Sequence, residues 1–99
     1  MNANWKHPWS ERFELGRLHI LPGARQEIAH DELLQAIRRH ARGDWGDCTP
    51  EQRAQNELSL DGGLTFVSRY HDLNATEFHV ITLLDHSITV VVLPDECWF

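Results

Sequence analysis

The sequence predicts a small α+β domain: an antiparallel sheet of three C-terminal strands, extended by an N-terminal strand and packed against two to three helices. Three observations lead there. Residues 24–41 place apolar side chains at helical spacings, residues 64–93 divide into three short strand-like runs, and 99 residues can bury one core but not two.

Residues 1–16 scatter Trp5, Trp9 and Phe13 among polar neighbours and read as an arm that packs its aromatics on something. Arg17 to Leu21 alternates polar and apolar side chains as one short strand, with Leu18 and Ile20 on one face. Pro22-Gly23 then turns the chain into helical residues 24–29 and 31–41, where Ile28, Leu33, Leu34, Ile37 and Ala41 form the apolar stripe. Asp31 is placed to cap the second segment, and Gly43 to end it in a left-handed conformation. Thr49-Pro50-Glu51-Gln52 is a helix start: threonine caps, proline occupies the first turn where its missing N–H costs nothing, and Gln52 closes a capping box. That helix runs to about Leu60, and Asp61-Gly62-Gly63 breaks it. Residues 64–70, 77–83 and 88–93 follow as strands whose short connections make them antiparallel neighbours. Val90-Val91-Val92 suits a central strand covered on both sides, whereas Glu77-Phe78-His79-Val80 alternates like a half-exposed one. No linker or repeat divides the chain, so residues 1–99 read as a single domain: arm 1–16, strand and helices 17–60, strands 64–94.

A net charge of −6 is unevenly placed, with +2 in residues 1–42 and −8 in residues 43–99. The back half repels nucleic acid, and the one cationic cluster, Arg38-Arg39-His40-Ala41-Arg42, falls at a helix end where cations complement the macrodipole. Direct nucleic-acid binding through Arg38, Arg39 and Arg42 is therefore an alternative and not the leading expectation. Mimicry of nucleic acid by the acidic half is weaker still, because nothing aligns Asp61, Asp72, Asp85, Asp95 and Glu96 at phosphate spacing. No apolar run approaches the length of a membrane span, and the residues after Met1 lack the apolar core of a secretory signal. The expected location is the cytoplasm, with no membrane partner.

Seven histidines and two cysteines raise the question of a metal site. The spacing argues against one, since neither Cys-x-x-Cys nor His-Glu-x-x-His occurs and four ligands would have to be gathered by tertiary structure alone. No metal and no cofactor are expected. Cys48, just before the Thr49-Pro50 helix start, is the best nucleophile on offer, but Asp44 and Asp47 oppose the thiolate. Asp44/Asp47 and Asp95/Glu96 could pair for acid–base work, although acidic residues in such places are ordinarily solvated or capping. A small hydrolase or metal-binding enzyme using Cys48 or histidines is thus the runner-up, and no catalytic residue is assigned.

Gly43-Asp44-Trp45-Gly46-Asp47 is the most unusual local string. Asp44 can accept from an amide two residues on, and Trp45 is too large to stand in water without a partner. It either plugs the gap between helices and sheet or inserts into a partner as an anchor. Asn56, mid-helix, could bond back to this loop. Trp5, Trp9, Cys97, Trp98 and Phe99 put large apolar groups at the termini, where they either cover each other or make a self-association or partner surface.

The strings Leu21-Pro22-Gly23-Ala24, Arg39-His40-Ala41-Arg42-Gly43-Asp44-Trp45-Gly46, Asn56, Ser68-Arg69-Tyr70, Val80-Ile81-Thr82, Asp85, Ser87, Thr89-Val90 and Leu93-Pro94-Asp95-Glu96 resemble a widespread group of small bacterial proteins carried by plasmids, integrated elements and phages. The likeness covers roughly residues 15–97. The chain departs from that pattern at His79, where an aromatic is usual, and in ending Cys97-Trp98-Phe99 rather than in tyrosine. The group supplies no activity to carry over. It implies the company of mobile elements, whose small acidic proteins often bind host factors such as defence nucleases and their regulators. The expectation is a non-enzymatic protein-binding module, an inhibitor or modulator of a host complex, with monomer and homodimer both left open. Its binding residues would be Trp45, Asp44, Asp47, Arg38, Arg39, Arg42, Trp98 and Phe99.

Overall fold

The computed structural model describes residues 12–62, 65–83 and 87–96. In chain order the elements are β1 (Arg17–Ile20), α1 (Pro22–Glu27), α2 (His30–Ala41), α3 (Pro50–Gly62), β2 (Phe66–His71), β3 (Glu77–Thr82) and β4 (Ile88–Val92). They make an α+β domain around a four-stranded open sheet of order β1-β4-β3-β2. The last three strands are antiparallel, as their short connections require. β1 joins β4 in parallel, so the sheet is mixed and not wholly antiparallel. The physical reason is the connection: three helices and two more strands separate β1 from β4, and a parallel pair needs such a crossover.

One face of the sheet carries Tyr70, Phe78, Val80 and Val91 against Ala24, Ile28, Leu33, Ala36 and Ile37 of the first two helices and their link. Burying each of the larger apolar side chains is worth about 1.5–3 kcal/mol. Trp45, Cys48 and Phe66 form a second cluster with Phe13 and Leu60, and Ile81, Val90 and Val92 a third on the opposite face. β4 is interior and buried along most of its length, as the valine run predicts. β3 alternates only at its start. Val80, Ile81 and Thr82 are all buried because β3 too is an interior strand.

The helix boundaries follow local chemistry with two corrections. α1 begins at Pro22, two residues earlier than the apolar pattern suggests, because Glu96 accepts from the amides of Gly23 (2.7 Å) and Ala24 (3.1 Å) and so supplies the missing cap from the far end of the chain. α2 starts at His30, so Asp31 stands in the first turn and favours the dipole without capping. The capping box of α3 forms as expected: Thr49 Oγ1 accepts from the Gln52 amide, and Gln52 Oε1 from that of Thr49. Leu18 shares its face with Ile20 but is 43% exposed, because β1 lies at the sheet edge.

Candidate functional site

The Gly43–Asp47 string is the hub of the molecule. Gly43 takes φ +83, and the amides of Gly43 and Asp44 reach back to the carbonyls of His40 and Arg39, closing α2 in a Schellman motif. The reversal aims Asp44 back along the helix. Its carboxylate takes Nε and an Nη of Arg39 at 2.8 and 3.2 Å and the Gly46 amide at 3.1 Å. The Arg39 hydrogen bond holds the Asp44 carboxyl below its ordinary range, and the same bond raises Arg39. Arg39 also lies 4.7 Å above the ring of Tyr70, whose hydroxyl donates to the Asp44 carbonyl at 2.5 Å.

Trp45 points inward. It is 4% exposed, stacks on Phe66 and Phe13, and donates its indole N–H to Glu57 at 2.8 Å. Of the two roles open to it, the plug is the one the geometry supports, and an anchor in that position would have to leave the core. Glu57 also takes two bonds from Arg12, and these first, then the indole bond, hold its carboxyl pKa below the ordinary range. Gly46 takes φ +72, and a Cβ there would stand 2.2 Å from the Arg69 carbonyl. Trp45 and Asp47 bracket it, accepting from the Arg69 amide at 3.1 Å and donating to the Arg69 carbonyl at 2.6 Å. Asp47 further pairs with His71 at 2.7 Å.

Beneath the loop lies a buried polar chain. His40 is fully buried, with Nδ1 at 2.5 Å from Ser68 Oγ and Nε2 at 2.9 Å from Thr82 Oγ1. Thr82 meets Thr89 at 2.7 Å, and the Thr89 hydroxyl donates to the Leu15 carbonyl at 2.6 Å. That last bond orders the rest. Thr89 must accept from Thr82, Thr82 must accept from Nε2–H, and the bare Nδ1 accepts from Ser68. Burial pushes His40 down to about 3, so the ring is neutral at neutral pH. Ser68 and His40 stand at the separation of a nucleophile and its base, but both are fully buried and the imidazole is backed by a hydroxyl where a triad has a carboxylate.

Cys48 is buried and donates its thiol to the Val67 carbonyl at 3.3 Å, and burial pushes its pKa up. The helix start therefore does not yield a thiolate. Asn56 does not reach the loop. Its amide instead bonds both the N–H and the C=O of Val67, at 3.1 and 2.8 Å, because the α3 register points it at the outer edge of β2. Among the described residues no three His, Cys, Asp or Glu side chains are grouped to hold a metal ion.

Arg38, Arg39 and Arg42 come together with Gln35 on the outer side of α2, around a shallow groove of about 270 Å³. Arg39 is fixed by Asp44. Arg38 and Arg42 make no side-chain hydrogen bond or ion pair with another described residue; Arg42 only adds to the field that lowers Asp44. Trp98, Phe99, Trp5 and Trp9 lie outside the described residues. Sequence reasoning missed Glu57, Glu96 and the Ser68-Thr82-Thr89 chain. The contacts that give them their roles, with Trp45, Gly23 and His40, lie twelve or more positions away, and no short motif marks them.

No helix among the described residues is long and apolar enough to cross a membrane. The chain matches no family model, no curated protein and no solved structure.

Proposed function

We propose that the chain is a non-enzymatic protein-binding module of a mobile genetic element, acting in the cytoplasm by docking on an acidic surface of a host complex and modulating it. The observation that carries this reading is the division of labour along α2. Its inner side supplies Leu33, Ile37 and His40 to the fold, while Arg38 and Arg42, one turn apart on the outer side, make no side-chain hydrogen bond or ion pair with another described residue and line one groove with the immobilised Arg39. The guanidiniums of Arg38 and Arg42, beside one already held by Asp44, suit carboxylates presented by a protein surface, because planar bidentate pairing is what arginine does best. The groups that could support chemistry are spent internally: Cys48 on Val67, Ser68 on His40. Asp44 and Asp47 serve the site by holding Arg39 and His71, and Trp45 by fixing the loop that bears them.

The test is direct. Proteins retained from a bacterial host extract are purified and their affinities measured for the wild type and for the double variant Arg38→Glu/Arg42→Glu. A loss of tenfold or more is expected, with the small fall in melting temperature that two anions at a helix C-terminus bring and the fold retained, whereas equal affinity overturns the docking face. Retention on heparin with a steep salt dependence would transfer the same arginines to nucleic acid, and stoichiometric zinc in untagged protein would overturn the non-enzymatic reading.

A further inference from the structure

The two edges of the sheet are treated differently. On β2 the backbone groups of Val67 and Arg69 point away from β3, and all four are occupied: Asn56 takes those of Val67, and Trp45 and Asp47 those of Arg69. On β1 the Arg17 and Leu21 amides donate to Ser87 and Val91, so residues 17, 19 and 21 face β4 while Leu18 and Ile20 face outward. Of their four outward groups, the Ile20 carbonyl meets only the Arg25 guanidinium at 3.3 Å, and the other three have no partner among the described residues. Leu18 and His19 are exposed as well.

We infer that this edge is a self-association surface, on which a second copy of the chain lays its own β1 in antiparallel register about His19. The choice of a second copy comes from the register. With the twofold axis at His19, Leu18 stands opposite the partner's Ile20, both outward-facing residues form ladder bonds in each direction, and apolar meets apolar on the helix side. His19 stands opposite the partner's His19 on the other side. Arg17 falls opposite the partner's Leu21, which leaves the two Arg17 side chains about 13 Å apart along the strands, beyond the screening length of about 8 Å at physiological salt. Arg25 swings off the Ile20 carbonyl. The result is one continuous sheet of β2-β3-β4-β1 and its symmetry mate, whose outer strands are the two β2 strands with their Val67 and Arg69 groups already occupied. This surface is separate from the α2 arginines, so it stands or falls independently of the host partner.

The full-length chain tests it by sedimentation equilibrium from micromolar to millimolar concentration. Wild type is expected to show a monomer–dimer equilibrium, and Leu18→Pro a monomer with the wild-type melting temperature, because the Leu18 N–H points outward and proline is tolerated on such an edge. A wild-type chain that stays monomeric throughout, or a folded Leu18→Pro that dimerises equally well, overturns the proposal. A covalent readout covers the case in which that variant fails to fold. In a Cys97→Ser background, His19→Cys should give a disulfide-linked dimer under mild oxidation and Arg17→Cys at least tenfold less. Equal cross-linking at both positions, or none at residue 19, overturns the register and with it the proposed interface.

Discussion

Ser68 Oγ lies 2.5 Å from Nδ1 of His40, a residue twenty-eight positions earlier, and donates its proton to a ring that burial keeps uncharged. The burial of His40 makes stability depend on pH in a defined window. The folded value of about 3 lies below the ordinary 6.5, so between the two it is the unfolded chain that binds the extra proton. Stability is complete above pH 6.5 and is lost as pH falls toward 3, at about 1.4 kcal/mol per pH unit. Asp44, Glu57 and Glu77, all held below their ordinary values, add their losses only below about pH 4.5.

Melting temperature followed from pH 7.5 to 4.5 is therefore expected to fall below pH 6.5 in the wild type. His40→Gln, which keeps polar groups near Ser68 and Thr82 but cannot titrate, should start about 1–3 kcal/mol less stable and be nearly flat over the same range. Parallel slopes for the two proteins would show that another group titrates there.

The two left-handed glycines of the loop differ in what surrounds them, which separates strain from collision. At Gly43 an added Cβ meets the Arg12 side chain, which can swing aside by giving up its exposed pair with Glu57, so Gly43→Ala should cost about 1–2 kcal/mol for the backbone conformation and at most about 1 kcal/mol more for the pair. At Gly46 it meets the Arg69 carbonyl and the Tyr70 ring, neither of which can yield without parting the loop from β2. Gly46→Ala should cost about 3 kcal/mol or more, the conformational term plus overpacking. Urea denaturation of both variants checks the ranking, and an equal cost would mean the loop shifts freely.

How much of this was readable in the sequence depended on distance along the chain. The Thr49–Gln52 capping box, the Gly43 stop and the valine run of β4 rest on neighbours and could be read directly. The size of Trp45 said only that something covers it, and the choice of plug over anchor needed the placement of Phe13, Phe66 and Glu57. The direction of β1 could not be read, because it depends on where the whole helical crossover returns the chain. The same holds for Asn56, whose target is fixed by the rotation of α3 against β2. The arginine groove of α2 was legible only as a cluster of letters. What divides Arg39 from Arg38 and Arg42 is the Schellman turn that brings Asp44 back to one of the three.

Glu96 joins the two ends of the described chain, accepting from the amides of Gly23, Ala24 and Leu93 at 2.7, 3.1 and 3.0 Å. Gly23 permits the approach, since a Cβ there would stand 2.6 Å from the carboxyl group. Glu96→Ala leaves those amides to water or to nothing and should cost about 1–2 kcal/mol, the range of a lost cap. Amide hydrogen exchange at Gly23 and Ala24 is expected to quicken more than at α2, and unchanged protection would show that α1 is held by packing alone.

Asn56 gives the sharpest test of how the β2 edge is kept shut. Its carboxamide presents a donor and an acceptor in the spacing of a neighbouring strand, which is why one side chain can satisfy both backbone groups of Val67. Asn56→Ala removes both partners at once. With Cys48 still donating to the Val67 carbonyl, the amide is the group left stranded, and the expected loss is about 2–3 kcal/mol. Asn56→Asp restores an acceptor for that amide but turns a carboxylate toward the carbonyl, so it should recover only part of the loss. The second consequence is association. An uncovered strand edge recruits strands from other molecules, so Asn56→Ala should aggregate with thioflavin-positive kinetics at temperatures where the wild type remains clear. If Asn56→Ala is destabilised but does not aggregate, the Trp45 and Asp47 backbone contacts at Arg69 are enough to close that edge, and Asn56 serves stability alone.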